Sequence, residues 1–240
     1  MNATRFATLA LALILAVVGR IALRSRFVRL APKAVAAGGG LRTADRVLLH
    51  VPRARGGIVV DGDTDDSGWL DAPGPARTGP FLAPNGAPSS PYSDARFVWG
   101  DGHLYAALYA ADDDIESSVG EPDGPVWTGD AFRLVFAQGE VEYAIDVSPS
   151  GAVTDAIRSP GRTFDYVWNS GAHVATERDG TMNDPANADE EWGVEMAIPV
   201  ESLGMRGERG ERIGFAARRC DAEKRRAPIC ASWKGELVLD

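Results

Sequence analysis

At 240 residues with 45% hydrophobic content, the chain has enough apolar material for one sizeable packed domain plus an appendage. Its 27 glycines and 15 prolines favour a turn-rich globular fold and fall short of a low-complexity composition. The formal charge of −9 is unevenly spread. Of the 25 basic residues seven lie in residues 1–44, and of the 34 acidic residues none do, so the remainder carries 18 basic against 34 acidic groups. An acidic body repels phosphate backbones, which argues against nucleic acid as a partner.

Phe6 to Gly19 is an apolar run rich in Leu and Ala with no charged residue, followed after Arg20 by Ile21 to Leu23. It suits the core of a signal peptide; extended through Arg20 to Leu23, it could just cross a bilayer as a membrane anchor. Only Arg5 precedes the run while Arg20, Arg24, Arg26, Arg29 and Lys33 follow it, a charge order that favours a cytoplasmic C-terminal side. A cleavage site could lie around Ala34-Val35-Ala36-Ala37, and the absence of a cysteine soon after the run excludes a lipoprotein anchor. Residues 1–33 are thus expected to form a signal or membrane-anchor segment with a basic flank, and residues 34–44, with Gly38-Gly39-Gly40, a flexible linker. Residues 45–240 are expected to fold.

Within that body, Arg46 to Val51 and Gly57 to Val60 are short apolar runs, the second ending at the turn Asp61-Gly62. Trp69 follows in an acidic stretch and is expected to plug the core under that turn. Thr78 to Tyr92, with four prolines and Asn85-Gly86, predicts a loop. Ala95 to Trp99, Asp101-Gly102 and the alternating Leu104 to Ala110 predict a hairpin. After Val126-Trp127-Thr128-Gly129-Asp130, residues Phe132, Leu134 and Phe136 alternate with Arg133 and Val135, the pattern of a half-buried strand. Gly139-Glu140 turns this strand into Val141 to Val147. Phe164 to Val174 carries Trp168, and Gly180 to Glu191 is a polar loop. Trp192 to Ile198 alternates until Pro199; Ser202 to Met205 predicts one helical turn; Arg212 to Arg219 and Glu236 to Leu239 end the chain. Many short strands without a sustained helical period after the leader argue an all-β fold, a two-sheet antiparallel β-sandwich of jelly-roll type.

Four ordered pieces carry a resemblance to the family 9 carbohydrate-binding modules and their bacterial relatives, a β-sandwich group related to the DOMON domains. They are Ile58-Val59-Val60-Asp61-Gly62 with Trp69 and Ala72; Leu104-Tyr105 with Asp112 and Asp114; Trp127-Thr128-Gly129-Asp130; and Trp192-Gly193-Val194-Glu195 through Ile198-Pro199. The resemblance implies a non-catalytic module in which two tryptophans sandwich a sugar ring and polar side chains fix its hydroxyls. By position, Trp127 matches the first clamp residue, Trp233 or else Trp168 the second, and Arg218 or Arg219 the polar residue on the strand after Ile198-Pro199. Arg133 stands where the family usually has a glutamate. The expected ligand-binding set is therefore Trp127, Arg133, Trp168, Arg219 and Trp233.

An indole can stack on the apolar C–H face of a sugar while neighbouring carboxylates and guanidiniums take its hydroxyls. The run Asp112-Asp113-Asp114 with Glu116 could ligate Ca²⁺, which occurs in some members of the resembled family, Asp112 and Asp114 being the expected ligands. Catalytic motifs are lacking: the three histidines have no metal-ligand spacing, and no nucleophile elbow or phosphate loop occurs. Two other readings stand beside sugar binding. Related sandwiches hold haem b through Met with His or Lys, for which Met182, Met196, Met205, His103, His173 and Lys234 are the candidates; alternatively the domain is a structural element of an envelope assembly. Cys220 and Cys230 flank the basic turn Lys224-Arg225-Arg226 and would form a disulfide if the domain is exported, to the periplasm or beyond, and stay reduced in the cytoplasm.

Overall fold

The computed structural model describes residues 47–186, 188–222 and 228–240. The expected signal or anchor segment, the linker and the turn Lys224-Arg225-Arg226 lie outside the described residues. The strands are β1 (Val47–Val51), β2 (Ala76–Arg77), β3 (Ser93–Gly100), β4 (His103–Ala111), β5 (Ala131–Gln138), β6 (Val141–Val147), β7 (Val153–Arg158), β8 (His173–Asp179), β9 (Glu191–Pro199), β10 (Arg212–Asp221) and β11 (Ile229–Leu239). They form a six-stranded sheet in the order β1-β11-β10-β5-β6-β7 and a five-stranded sheet in the order β2-β3-β4-β9-β8. All neighbours are antiparallel except β1, which runs parallel to β11. The expected two-sheet β-sandwich is the observed architecture.

Period-two alternation fixes what each sheet turns inward. Phe132, Leu134 and Phe136 of β5 and Ile213, Phe215 and Ala217 of β10 meet Leu104, Ala106 and Leu108 of β4 and Trp192, Val194, Met196 and Ile198 of β9 in one core. Aromatic contacts join the layers: Phe97 lies 5.0 Å from Phe215 and Phe132 lies 4.9 Å from Trp192, centroid to centroid. The β3–β4 hairpin turns on Asp101 and Gly102, both at positive φ, the geometry a two-residue hairpin loop requires. A short 3₁₀ turn at Val200–Leu203 takes the place of the predicted helical turn.

Four segments differ from the sequence reading. Gly57–Val60 is not a strand; it belongs to a segment covering the outer face of the five-stranded sheet, where Ile58 packs near Trp69. The sequence does not announce β7 and β8, because Val-Thr-Asp-Ala-Ile-Arg and His-Val-Ala-Thr-Glu-Arg-Asp lack a strong apolar alternation and lie at sheet edges. The predicted final strand, Glu236 to Leu239, is the end of an eleven-residue strand.

The covering segment explains two of the recognised motifs. A one-turn helix, Ser67–Leu70, presses Trp69 onto Ala72, Val98 and Ala107, leaving it 3% exposed, as expected of a core plug. The Trp69 indole N–H donates to Glu195 Oε1 at 2.8 Å, and the amides of Asp61 and Gly62 donate to Oε2 at 3.0 and 3.2 Å. Thus the Asp-Gly turn, the following Trp and the Glu of β9 form one buried latch.

Candidate functional site

The turn before β5 is built to project an indole. Val126 is buried, and the next residue, Trp127, emerges from a 3₁₀ turn whose carbonyl at Pro125 accepts the Thr128 amide at 3.0 Å and its hydroxyl at 2.8 Å. At Gly129 the backbone passes so close to the Glu116 carbonyl that an added Cβ would lie 2.8 Å from its oxygen, which explains the glycine. Asp130 then pins the base of the turn, its carboxylate accepting the amides of Glu116 at 2.6 Å and Ala222 at 2.8 Å. Burial, followed by the neighbouring Asp112 carboxylate, pushes the Asp130 carboxyl up to about 8.

Trp127 is 46% exposed, and its ring lies 6.2 Å from that of Tyr166. Tyr166 comes from the chain after β7, where Asp165 pairs with Ile157 by two backbone hydrogen bonds of 2.8 and 3.0 Å. Because Ile157 lies on the same side of the sheet as its inner-face partner Tyr143, the alternation turns the neighbours Phe164 and Tyr166 to the outer side. There the Arg133 guanidinium lies 5.8 Å from the Phe164 ring centroid and beside the Tyr166 hydroxyl, while the Arg158 guanidinium lies 4.8 Å from the same Phe164 ring. Arg133 donates Nε–H and one terminal N–H to both oxygens of Asp146 at 2.8 Å each. Burial opposes its charge, but Asp146 and Tyr166 outweigh burial and hold it above the usual guanidinium range. Arg158 is paired with Glu142. The outer face of β5, β6, β7 and β10 therefore offers two exposed aromatic rings beside fixed guanidiniums.

Strand parity sorts the expected ligand-binding residues. Trp127 and Arg133 fall in this one constellation. Arg219 does not: it follows Phe215 and Ala217 on the inner face of β10, is 2% exposed, and donates to Asp112 at 2.7 Å and Asp221 at 3.0 Å. Its neighbour Arg218 lies on the outer face, directly across from Arg133. Trp233, paired with Ala217, also points inward; it is 8% exposed and packs against Phe215 at 5.8 Å, so it cannot stand across from Trp127. Trp168 is half-buried against Tyr143, an inner-face residue of β6, at 5.5 Å, and leaves the outer face to Tyr166. The sequence reading missed Phe164, Tyr166 and Asp146. For β10 the signal was present: placing Phe215 inward sends Arg219 in and Arg218 out.

The expected calcium ligands separate in the same way. Asp112 is buried, but its Oδ2 accepts the Arg219 guanidinium and the Trp192 indole N–H at 2.7 and 3.1 Å, and its Oδ1 accepts the Asp114 amide at 3.1 Å. The carboxylates that converge with Asp112 are Asp130 and Asp221, one oxygen of each within 4.8 Å of the others, and not Asp114. With the Arg219 guanidinium already among them, this set fits an internal ion-pair cluster and does not fit calcium held by Asp112 and Asp114. The haem candidates are also divided. Met196 and Met205 are buried in the core and Met182 packs, partly buried, against it, whereas His103 and His173 lie on the outer face of the five-stranded sheet and Lys234 on the outer face of the other. They do not form an axial pair.

Cys220 and Cys230, partners across the β10–β11 pair, are joined by a disulfide on the same outer face as Arg218.

No protein-family model and no curated protein matches the chain in sequence. Solved structures do match in shape. A protein of Bacteroides uniformis ATCC 8492, described as carbohydrate-binding, superposes with a TM-score of 0.64 at 14% identity, covering 82% of this chain and all of its own. A family 9 carbohydrate-binding module from Caldicellulosiruptor kristjanssonii, solved with cellotriose, gives 0.56 at 15% identity over 81% of this chain and 94% of its own. The same organism's module with glucose gives 0.55 at 15% over 82% and 96%. The chain has a fold like that of the family 9 carbohydrate-binding modules.

Proposed function

We propose that the domain is a non-catalytic carbohydrate-binding module whose ligand lies on the outer face of the six-stranded sheet, stacked on Trp127 with Tyr166 beside it. The observation that carries the reading is the half-exposed indole of Trp127, on a turn held by buried Val126 and by the hydrogen bonds of Thr128 and Asp130, next to Tyr166 and the Arg133–Asp146 pair. An exposed indole on a rigid mount loses little entropy on stacking, and the polar groups beside it suit ring hydroxyls. Support also comes from the neighbours of similar fold that bind cellotriose and glucose.

In this reading residues 1–33 export or anchor the domain in the cell envelope, residues 34–44 tether it, and residues 45–240 form the module. The Cys220–Cys230 disulfide supports an oxidising compartment. Labelling of free thiols in protein taken from native membranes should find none; a fully reduced pair would sink the export assignment.

The binding test is a panel of neutral and acidic polysaccharides with cellotriose and glucose among the small ligands. Trp127→Ala should weaken any bound sugar by roughly tenfold, since a stacked aromatic contributes about 1 kcal/mol or more beyond its buried area. Unchanged affinity in that variant would remove Trp127 from the site.

A further inference from the structure

The row of residues crossing the outer face beside Trp127 holds more positive charge than the sheet itself uses. In order across the strands it runs Ser232 on β11, Arg218 on β10, Arg133 on β5, Asp146 on β6 and Thr154 on β7. Arg218 and Arg133 are directly opposite each other in an antiparallel pair, a placement that is unfavourable for like charges unless something neutralises them. Asp146 serves Arg133 alone. Arg218 is exposed, and its hydrogen bond in the fold goes to the Sγ of Cys230 at 2.9 Å, an acceptor without charge. Lys234, two residues beyond Ser232 on the same face and diagonal to Arg218, is exposed as well, and neither Arg218 nor Lys234 is paired with a carboxylate among the described residues. This uncompensated charge stands out because the folded part of the chain is strongly acidic. It is continuous, through Arg133 and the Tyr166 hydroxyl, with the aromatic pair Tyr166 and Trp127.

Resting on the carbohydrate-binding reading of this same face, we infer that its ligand is an anionic sugar: a pyranose carrying a carboxylate, which stacks on Trp127 and directs its charge between Arg133 and Arg218. Two of the five guanidinium N–H groups of Arg133 are held by Asp146, which fixes the plane of the fork and leaves further donors for a ligand oxygen. Arg218 brings a second fork that no carboxylate shares among the described residues. A planar carboxylate suits such donors, and its arrival would relieve the repulsion across the Arg133–Arg218 pair. A neutral sugar would leave that repulsion in place. The sulfate ester of a sulfated glycan offers the same negative charge with tetrahedral oxygens, and the experiment separates the two sources.

The test uses the full chain in affinity electrophoresis at fixed ionic strength, with polygalacturonate against its methyl ester and dextran sulfate against dextran. Polyglutamate serves as a polyanion that is not a sugar. The inference expects polygalacturonate to be bound at least tenfold more tightly than its methyl ester. Arg218→Gln should cut that preference about fivefold or more, while Arg209→Gln, which removes the same charge from an exposed loop at the far end of β10, leaves it unchanged. A preference for dextran sulfate over polygalacturonate would replace the carboxylate by a sulfate and overturn the assignment. Equal binding of charged and neutral chains, with Arg218→Gln silent, would overturn the inference and leave sugar binding standing. Equal retention by polyglutamate would mean charge attraction without sugar recognition and also overturn it. Binding to no polysaccharide at all would remove both the inference and the function on which it rests.

Discussion

The two sheets carry similar equipment on their outer faces and use it in opposite ways. On the five-stranded sheet Trp69 meets Glu195, and the segment before β2 closes over both, so the indole N–H and both carboxylate oxygens are satisfied inside the protein. On the six-stranded sheet Trp127 lies near Arg133 and Asp146, and its ring remains half open. A tryptophan beside a charged residue is therefore not in itself a site. What separates latch from candidate site is whether another stretch of chain already occupies the apolar ring and the polar groups beside it.

The largest expected effect breaks the closed side. Trp69→Ala should destabilise the fold by about 3–5 kcal/mol, through lost apolar burial, a cavity and a carboxylate deprived of one donor. Urea unfolding measures this, and a loss under 1 kcal/mol would mean that the covering segment is not integral to the sandwich. Next comes the disulfide, which ties β10 to β11 beside Arg218. Replacing both Cys220 and Cys230 by serine should cost ~2.5–3 kcal/mol on loop-closure entropy, and a stability unchanged by the double substitution would show the cross-link to be incidental.

A third prediction concerns the base of the Trp127 turn. The Asp130 carboxyl is raised to about 8, by burial and then by Asp112. Unfolded, it would titrate near ~3.9. Between those values the folded chain holds a proton that the unfolded chain releases, so this group's stabilising contribution is fully present below the unfolded value and is lost as pH rises through about 8. Asp112 is shifted in the same direction, first by burial. Unfolding midpoints should therefore fall from about pH 5 to about pH 8.5. Asp130→Asn should flatten that slope at a cost of about 1–2 kcal/mol at the lower pH, because the Glu116 and Ala222 amides donate to different oxygens of Asp130 and asparagine keeps one acceptor oxygen while turning an NH2 donor against the other amide. An identical slope in the variant would assign the pH dependence to other groups.

Much of this contrast is written in the chain at short range. Alternation places Phe132, Leu134 and Phe136 in the core with Arg133 outside, and the Asp-Gly turn with Trp69 and the Trp192-to-Pro199 piece with Glu195 are two sequence motifs that the fold joins in one latch. The same alternation, followed from Phe215, distinguishes Arg218 from Arg219. What local pattern cannot supply is pairing across distance. Tyr166 reaches Trp127 because Asp165 pairs with Ile157 on a sheet edge, and nothing in Phe164-Asp165-Tyr166 announces that bridge. Trp233 has the composition of a binding residue, and only its register with Ala217 turns it to the core. The Asp112 run looks like a cation loop until Arg219 arrives from a strand far along the chain.

The smallest expected change in stability is also the one that bears most on function. Trp127→Ala should shift the unfolding free energy by only ~0.5 kcal/mol, because the half-open ring contributes little to the core. The decisive measurement is the affinity of wild type and Trp127→Ala for the same polysaccharide panel. A tenfold or greater loss of binding, with the unfolding midpoint nearly unchanged, is the predicted result. Equal affinities, or a loss of binding that merely tracks a large loss of stability, would make Trp127 a structural residue like Trp69 and contradict the account.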